Sequence, residues 1–258
     1  MIITTSRRVQ SKFVEKAYQL SHVYGFSYRE RKGLSIEAFK AAHQEDIIVV
    51  GKDGISIVPL DEETALFFHP NVAMIRAKRL LKGEKEALVS IAKLKEGMSF
   101  LDCTLGLASD SLVASLAVGP NGSVIGIEGN QLLYLLAREG LASFSSGNMT
   151  IDQAMRRITV VNCDHLSFLK KSEDRSVDVV YFDPMFETAI AASNGINSIR
   201  GQAIRSDLTK EVIEEAKRVA RQRVVLKDHW KSLRFEKLGF IQHVRKTSMF
   251  HYGTIERV

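Results

Sequence analysis

The segment Asp178 to Glu187, DVVYFDPMFE, holds the residues best suited to chemistry, because an apolar run that reads as a buried strand stops at Asp183-Pro184-Met185-Phe186. A carboxylate, a proline carbonyl and an aromatic ring would then converge at the carboxyl end of a strand, where open α/β sheets bind their ligands. Such a group can hold an amine. Asp183 and the Pro184 carbonyl would each accept an N–H bond, and Phe186 would stack on the ring bearing the nitrogen. Asp-Pro also opens ordinary turns, so the reading depends on what the other strand ends supply.

The segment at 99–116, SFLDCTLGLASDSLVASL, reads as strand, turn and helix. Asp102, Thr104 and Gly106 occupy the strand end and turn, and Ser109 or Asp110 is expected to cap the helix, leaving its first N–H groups facing a ligand. A dinucleotide fingerprint needs three glycines to let backbone approach a pyrophosphate. Only Gly106 is present. That argues against NAD and suits S-adenosylmethionine, a nucleoside with a cationic sulfonium and no phosphate.

Glu128 ends the apolar run in GSVIGIEGN, 22 residues after Gly106, the spacing of an acidic residue that accepts hydrogen bonds from ribose hydroxyls. A surface glutamate before a helix would look the same. ITVVNCDHLSFL at 158–169 adds Asp164, placed to accept from an adenine amino group or simply to cap a helix, and His165, which as readily packs as binds.

Taken together, these four strand ends resemble class I S-adenosylmethionine-dependent methyltransferases over residues 70–258. D-x-T-x-G-L-x-x-D at 102–110 with Y-x-D-P-M-F at 181–186 is similar to the RsmJ family, which methylates guanine N2 in small-subunit ribosomal RNA. The resemblance implies that the cofactor is bound by Ser109 and Asp110, Glu128 and Gly129, Asp164 and His165, and Asp183. Two departures stand out: Ser109 replaces the family's arginine, and Glu187-Thr188-Ala189 replaces a proline and a basic stretch. Adenine N6 or a protein glutamine amide would use the same Asp-Pro-x-aromatic chemistry, and a non-catalytic RNA-binding protein retaining the cleft is an alternative of another class.

The implied architecture is α/β, a Rossmann-like seven-stranded sheet ending in an antiparallel hairpin. Strands are expected near 98–102, 122–128, 158–163, 177–182, 223–227, 239–244 and 248–254. Residues 66–258 would form this domain and residues 1–65 a small α+β region. In that region a helical pattern runs from Phe13 to Leu20, and Lys52-Asp53-Gly54 signals a hairpin. One long helix is expected over 76–95, with Ile75, Leu80, Leu81, Leu88 and Ile91 as its apolar stripe. His69 before it reads as packing or as a substrate contact. About 20 residues follow Phe186 before Asp207, which is expected to cap the next helix. Loops of this length are usually functional. This one is expected to close over a substrate base, with Arg200 and Arg205 on phosphates. Lys227 reads as a surface lysine or a phosphate ligand, and Trp230 as core or hinge packing.

The net charge of +6 is unevenly spread. Residues 76–95 carry seven Lys/Arg against two Glu and residues 217–258 eleven against three acids, whereas 97–216 carry nine against fifteen. Basic flanks around an acidic cleft would draw a nucleic acid, and ribosomal RNA or the small ribosomal subunit is the expected partner. Arg7, Arg8, Lys12, Arg29, Arg31 and Lys32 make the amino-terminal region a second candidate RNA contact.

No apolar stretch approaches the roughly 20 residues that span a bilayer, and MIITTSRRVQSKF lacks the order of a secretory signal, so a cytoplasmic protein is expected. Cys103 and Cys163 end the first and third strands of the main domain, about 10 Å apart across two strand spacings, and are expected to stay reduced. No metal-ligand spacing occurs, and no metal is expected.

Overall fold

The computed structural model describes residues 1–7, 10–61, 64–184 and 208–257, which divide into two compact units, one within Met1–His69 and one from Pro70 onward. Phe186, Arg200, Arg205 and the expected closure of their loop lie outside the described residues.

The first unit contains β1 (Ile2–Thr5), α1 (Ser11–Tyr24), β2 (Ser27–Tyr28), α2 (Ile36–His43), β3 (Ile47–Gly51), β4 (Gly54–Val58) and β5 (Leu66–Phe67), with sheet order β2-β1-β3-β4-β5. The expected hairpin is present. It pairs Gly51 with Gly54, and Gly54 takes a left-handed φ of 98° that a side chain would resist. α1 buries Phe13, Ala17 and Leu20 and stops at left-handed Gly25, whose N–H reaches the Ser21 carbonyl. β1 is a strand that the sequence pattern does not reveal: all four residues are buried, so no alternation marks it, and only its parallel pairing with β3 defines it. Arg31 departs from the expected RNA contact. It is buried, and its Nε and Nη1 donate to the Thr5 and Leu34 carbonyls. His69 packs against the Phe67 ring at 5.0 Å between centroids.

The second unit contains α3 (Asn71–Leu81), α4 (Ala87–Ala92), β6 (Ser99–Asp102), α5 (Ser109–Val118), β7 (Ser123–Glu128), α6 (Gln131–Ser143), α7 (Met149–Arg156), β8 (Ile158–Asn162), α8 (His165–Lys171), β9 (Val177–Phe182), α9 (Lys210–Val219), β10 (Ala220–His229), α10 (Arg234–Lys237), β11 (Ile241–His243) and β12 (Phe250–Glu256). Its seven strands lie in the order β8-β7-β6-β9-β10-β12-β11. β6 to β10 are mutually parallel, while β12 runs antiparallel to both β10 and β11. This is the expected sheet with its terminal hairpin. From β6 the chain winds outward one way to β7 and β8, then returns to β9 on the other side. That reversal opens a crevice at the carboxyl ends of β6 and β9.

Phe100, Leu101, Val179 to Phe182 and Val224 to Leu226 are buried, as strands covered on both faces must be. α9 lays Val212, Ile213, Ala216 and Val219 on the sheet and is capped by Thr209, two residues beyond the expected Asp207. The expected long helix over 76–95 is instead two helices broken at Gly83, which has a φ of 80°. Its stripe differs too: Ile75 and Leu81 are exposed, and the small Ala73 and Ala77 are buried, allowing α3 to lie close on α5.

Candidate active site

β6 ends in Asp102, whose position beside β9 fixes the turn that follows. Asp102 Oδ1 accepts from the Thr104 N–H at 3.0 Å and Oδ2 from the Ser111 hydroxyl at 2.7 Å. Burial pushes its pKa up to about 7, against the pull of those two bonds. The Thr104 hydroxyl in turn accepts the Asp183 N–H at 2.6 Å, tying the first turn to the end of β9.

Gly106 adopts a φ of 53°, and its N–H donates to Glu128 Oε2 at 2.9 Å. Leu105 before it sits on β7 where Gly126 offers no side chain; a Cβ there would come within 2.3 Å of Leu105 Cδ1. Glu128 Oε1 accepts from the Asn130 N–H at 2.8 Å. Burial raises the Glu128 pKa, opposed by the N–H groups of Asn130, Gly106 and Gly129. The chain then passes exposed Gly129 to Asn130, which caps α6. Asp164 caps α8 through the Ser167 N–H at 2.9 Å and is itself exposed. His165 is buried with its ring edge on Phe182 at 6.0 Å, and burial lowers its pKa, so it is neutral near pH 7.

The expected cap of α5 by Ser109 or Asp110 is not what forms. Ala108 is the N-cap residue, in a left-handed conformation (φ 62°) and without a side-chain cap. Asp110 instead points into a buried ionic cluster. Its Oδ1 pairs with Arg76 Nη1 at 2.5 Å, and its Oδ2 accepts from Lys227 Nζ and from the Tyr181 hydroxyl, both at 2.9 Å. Arg76 also donates from Nε (2.9 Å) and Nη2 (2.6 Å) to Glu86 Oε1. Burial would raise the Asp110 pKa, but Lys227 and Arg76 outweigh it and hold this carboxyl well below the usual range. Burial likewise works against the charge on Lys227, and Asp110 and Asp183 overcome it.

Lys227 therefore differs from its expected surface position. Its Nζ also lies 2.6 Å from Asp183 Oδ2. The second oxygen, Asp183 Oδ1, is shielded from solvent and has no hydrogen-bond partner among the described residues. Burial pushes the Asp183 pKa up to about 6; Lys227 opposes the rise and the Asp110 charge adds to it. Arg76 is a member of the cluster that sequence reasoning missed, and Tyr181, the first residue of Y-x-D-P-M-F, was not seen as a partner of Asp110; the two lie 34 and 71 positions from Asp110.

A protein-family model described as "Putative SAM-dependent methyltransferase" matches residues 35–246. The chain belongs to this family of S-adenosylmethionine-dependent methyltransferases. It is similar to the protein named "Uncharacterized protein YpiP" of Bacillus subtilis (strain 168), 48% identical over 255 residues and 99% of each chain. It also resembles two proteins named ribosomal RNA small subunit methyltransferase J. The one from Acinetobacter baumannii (strain SDF) is 30% identical over 105 residues, 40% of this chain and 36% of that one. The one from Marinobacter nauticus is 29% identical over 142 residues, 54% and 50% of the two chains. Among solved structures, a SAM-dependent methyltransferase from Neisseria gonorrhoeae superposes with a TM-score of 0.62 at 15% identity, over 99% of this chain and 96% of that one, which shows a shared fold.

The methyltransferase binds S-adenosylmethionine, and the crevice fits a cation of that kind. Glu128 and Asp183 end β7 and β9 on either side of the Gly106 turn, and the single turn glycine leaves no cradle for a pyrophosphate. The shielded, unpartnered oxygen of Asp183 requires an N–H donor that the described residues do not supply. The structure brings Asp102, Thr104, Gly106, Asp110, Glu128 and Asp183 to one rim by the bonds given above. Gly129, Asp164 and His165 follow the outer strands β7 and β8. Ser109 opens α5, and Pro184 is buried directly after Asp183.

Proposed function

We propose that the methyltransferase acts on the exocyclic amine of a nucleic-acid base, guanine N2 in small-subunit ribosomal RNA. The observation that carries the reading is the Asp183 carboxylate, with one oxygen pinned by Lys227 and the other without a donor among the described residues. In this reading Glu128 accepts from the ribose hydroxyls of the cofactor, and Asp164 from its adenine. Ser109, Asp110, Gly129 and His165 complete the binding edge.

Bound S-adenosylmethionine supplies an electrophilic methyl group on a sulfonium. The chain's own task is to present the nitrogen. An exocyclic guanine amine is a poor nucleophile because its lone pair is delocalised into the ring. Asp183 Oδ1 and the Pro184 carbonyl accept its two N–H bonds, which localises the lone pair and directs it outward. The amine, positively charged once methylated, would pass a proton to Asp183, whose raised pKa suits it to the task. The base stacks on Phe186 and its phosphates meet Arg200 and Arg205, residues outside those described.

Guanine N2 is favoured by the partial likeness to the two methyltransferases named for ribosomal RNA. The basic flanks favour RNA, and exposed Arg7, Lys12, Arg29 and Lys32 make the amino-terminal unit a second candidate RNA contact. The reaction would then take place in the cytoplasm. The test is transfer of labelled methyl to total RNA, ribosomal subunits, DNA and protein from a deletion strain, followed by nucleoside mass spectrometry. N2-methylguanosine in small-subunit RNA is expected. Label in N6-methyladenine or in protein would discard the target.

A further inference from the structure

Trp230 is the chain's single tryptophan, and it is not core: its side chain is 46% exposed. Its backbone is nevertheless firmly held. The Trp230 N–H donates to the Met249 carbonyl at 3.0 Å, carrying the β10–β12 ladder past its last strand pair, and Gln242 Nε2 donates to the Trp230 carbonyl at 2.9 Å. Buried Asp228 closes the loop from below by accepting from the Ser232 hydroxyl at 2.6 Å and from Arg234 Nη1 at 3.0 Å. A large aromatic ring on a fixed backbone, left open to solvent, loses little entropy when it is covered.

The ring's surroundings indicate what covers it. Lys231 Nζ stands 4.8 Å from the Trp230 centroid, and Met249 is 51% exposed. Within residues 229–249, Lys237 and Lys246 are also exposed, and Glu236 is the exposed acid. The patch is apolar and basic, the combination that receives a base on its face and a phosphate beside it. Trp230 follows Lys227 at the same strand end, about 10 Å further on at strand spacing and on the opposite face of the sheet. The Phe250 ring lies 5.9 Å from Lys227 Nζ, and Phe250 pairs with His229, whose ring is 5.9 Å from that of Trp230.

We infer that Trp230, flanked by Met249 and Lys231, is a stacking platform for a single-stranded RNA nucleotide next to the methylated base. This rests on the proposed RNA substrate and adds the surface that selects unpaired strand. Stacking on an aromatic face tolerates any base, so the platform contributes affinity for single strand and little sequence choice.

Because Trp230 is the only tryptophan, its emission reports on this surface alone. Titration of the full chain with a poly(U) RNA of about 15 nucleotides should quench it to saturation, while a duplex of the same length should not. Trp230→Ala should bind the single strand about tenfold more weakly, raise the KM for small-subunit RNA similarly and keep its S-adenosylmethionine affinity, with Trp230→Phe restoring most of the loss. Methyl transfer to RNA with an unchanged KM in Trp230→Ala would overturn the platform and leave the RNA substrate standing. Failure of the wild-type chain to bind or methylate any RNA would overturn the substrate itself. Self-association in sedimentation that Trp230→Ala abolishes would assign the surface to a second copy and likewise overturn the platform.

Discussion

Lys227 Nζ lies 2.6 Å from Asp183 Oδ2, so the carboxylate ending β9 is held by a cation from the adjacent strand β10. The same ammonium reaches Asp110 at the start of α5, and one lysine separates two carboxylates that would otherwise repel each other in a largely dry site. Asp183 is thereby kept both oriented and titratable near neutrality.

Replacing Lys227 by Met should leave Asp110 and Asp183 facing each other without their shared partner. Breaking a buried pair in this way typically costs about 3–5 kcal/mol. A lowered urea midpoint is expected, together with an acid limb of kcat/KM displaced upward by about one pH unit as Asp183 becomes harder to ionise. A variant with wild-type stability and pH profile would show that the pair does not act on Asp183.

Asp183→Asn keeps the shape of the side chain and removes its charge. Transfer should fall by about a hundredfold or more while circular dichroism changes little. In the wild type, Asp183 can take up the amine's proton only when ionised, so activity should rise with pH through about 6 and level off above. A rate independent of pH between about 5 and 7 would exclude Asp183 as the proton acceptor.

Stability should respond to pH with the opposite sign. Asp102 is raised in the fold to about 7 from an ordinary value of 3.8, so the native state binds a proton that the unfolded chain has released. Its contribution therefore falls as pH rises from about 4 to 7, and Asp183 acts in the same direction up to about 6. Asp110 is depressed, and the stability it contributes is lost only as pH falls below its unfolded value. Asp102→Asn should flatten the 4–7 slope in denaturant midpoints. An unchanged slope would place the titrating group elsewhere.

Glu128→Ala removes the acceptor for the Gly106 and Asn130 amides and the proposed ribose ligand together. Calorimetry should show S-adenosylmethionine binding weakened by about tenfold or more. Glu128→Gln, which retains one acceptor oxygen, should fall between the two. Equal affinity in all three would remove Glu128 from the cofactor site.

Most of the second unit's sheet was legible because its strands are short apolar runs bounded by turn residues, and their ends coincide with Asp102, Glu128, Asp164 and Asp183. β1 was not legible, since four buried residues carry no period. The break at Gly83 was missed because the apolar residues around it kept a helical spacing that the fold does not use, Ile75 and Leu81 being exposed. Asp110 was misread as a cap because a helix start and a buried ion-pair partner look alike when only neighbours in sequence are considered.

By itself the sequence determined which residues end the strands, and with that the expectation of a crevice for a sulfonium nucleoside. Tertiary structure alone decided which charges meet there. Asp110 joins Arg76, Tyr181 and Lys227 across 34, 71 and 117 positions because the strand order places β6, β9 and β10 side by side and lays α5 over them. The energy of such a cluster depends on distance and burial, and neither is encoded by spacing along the chain.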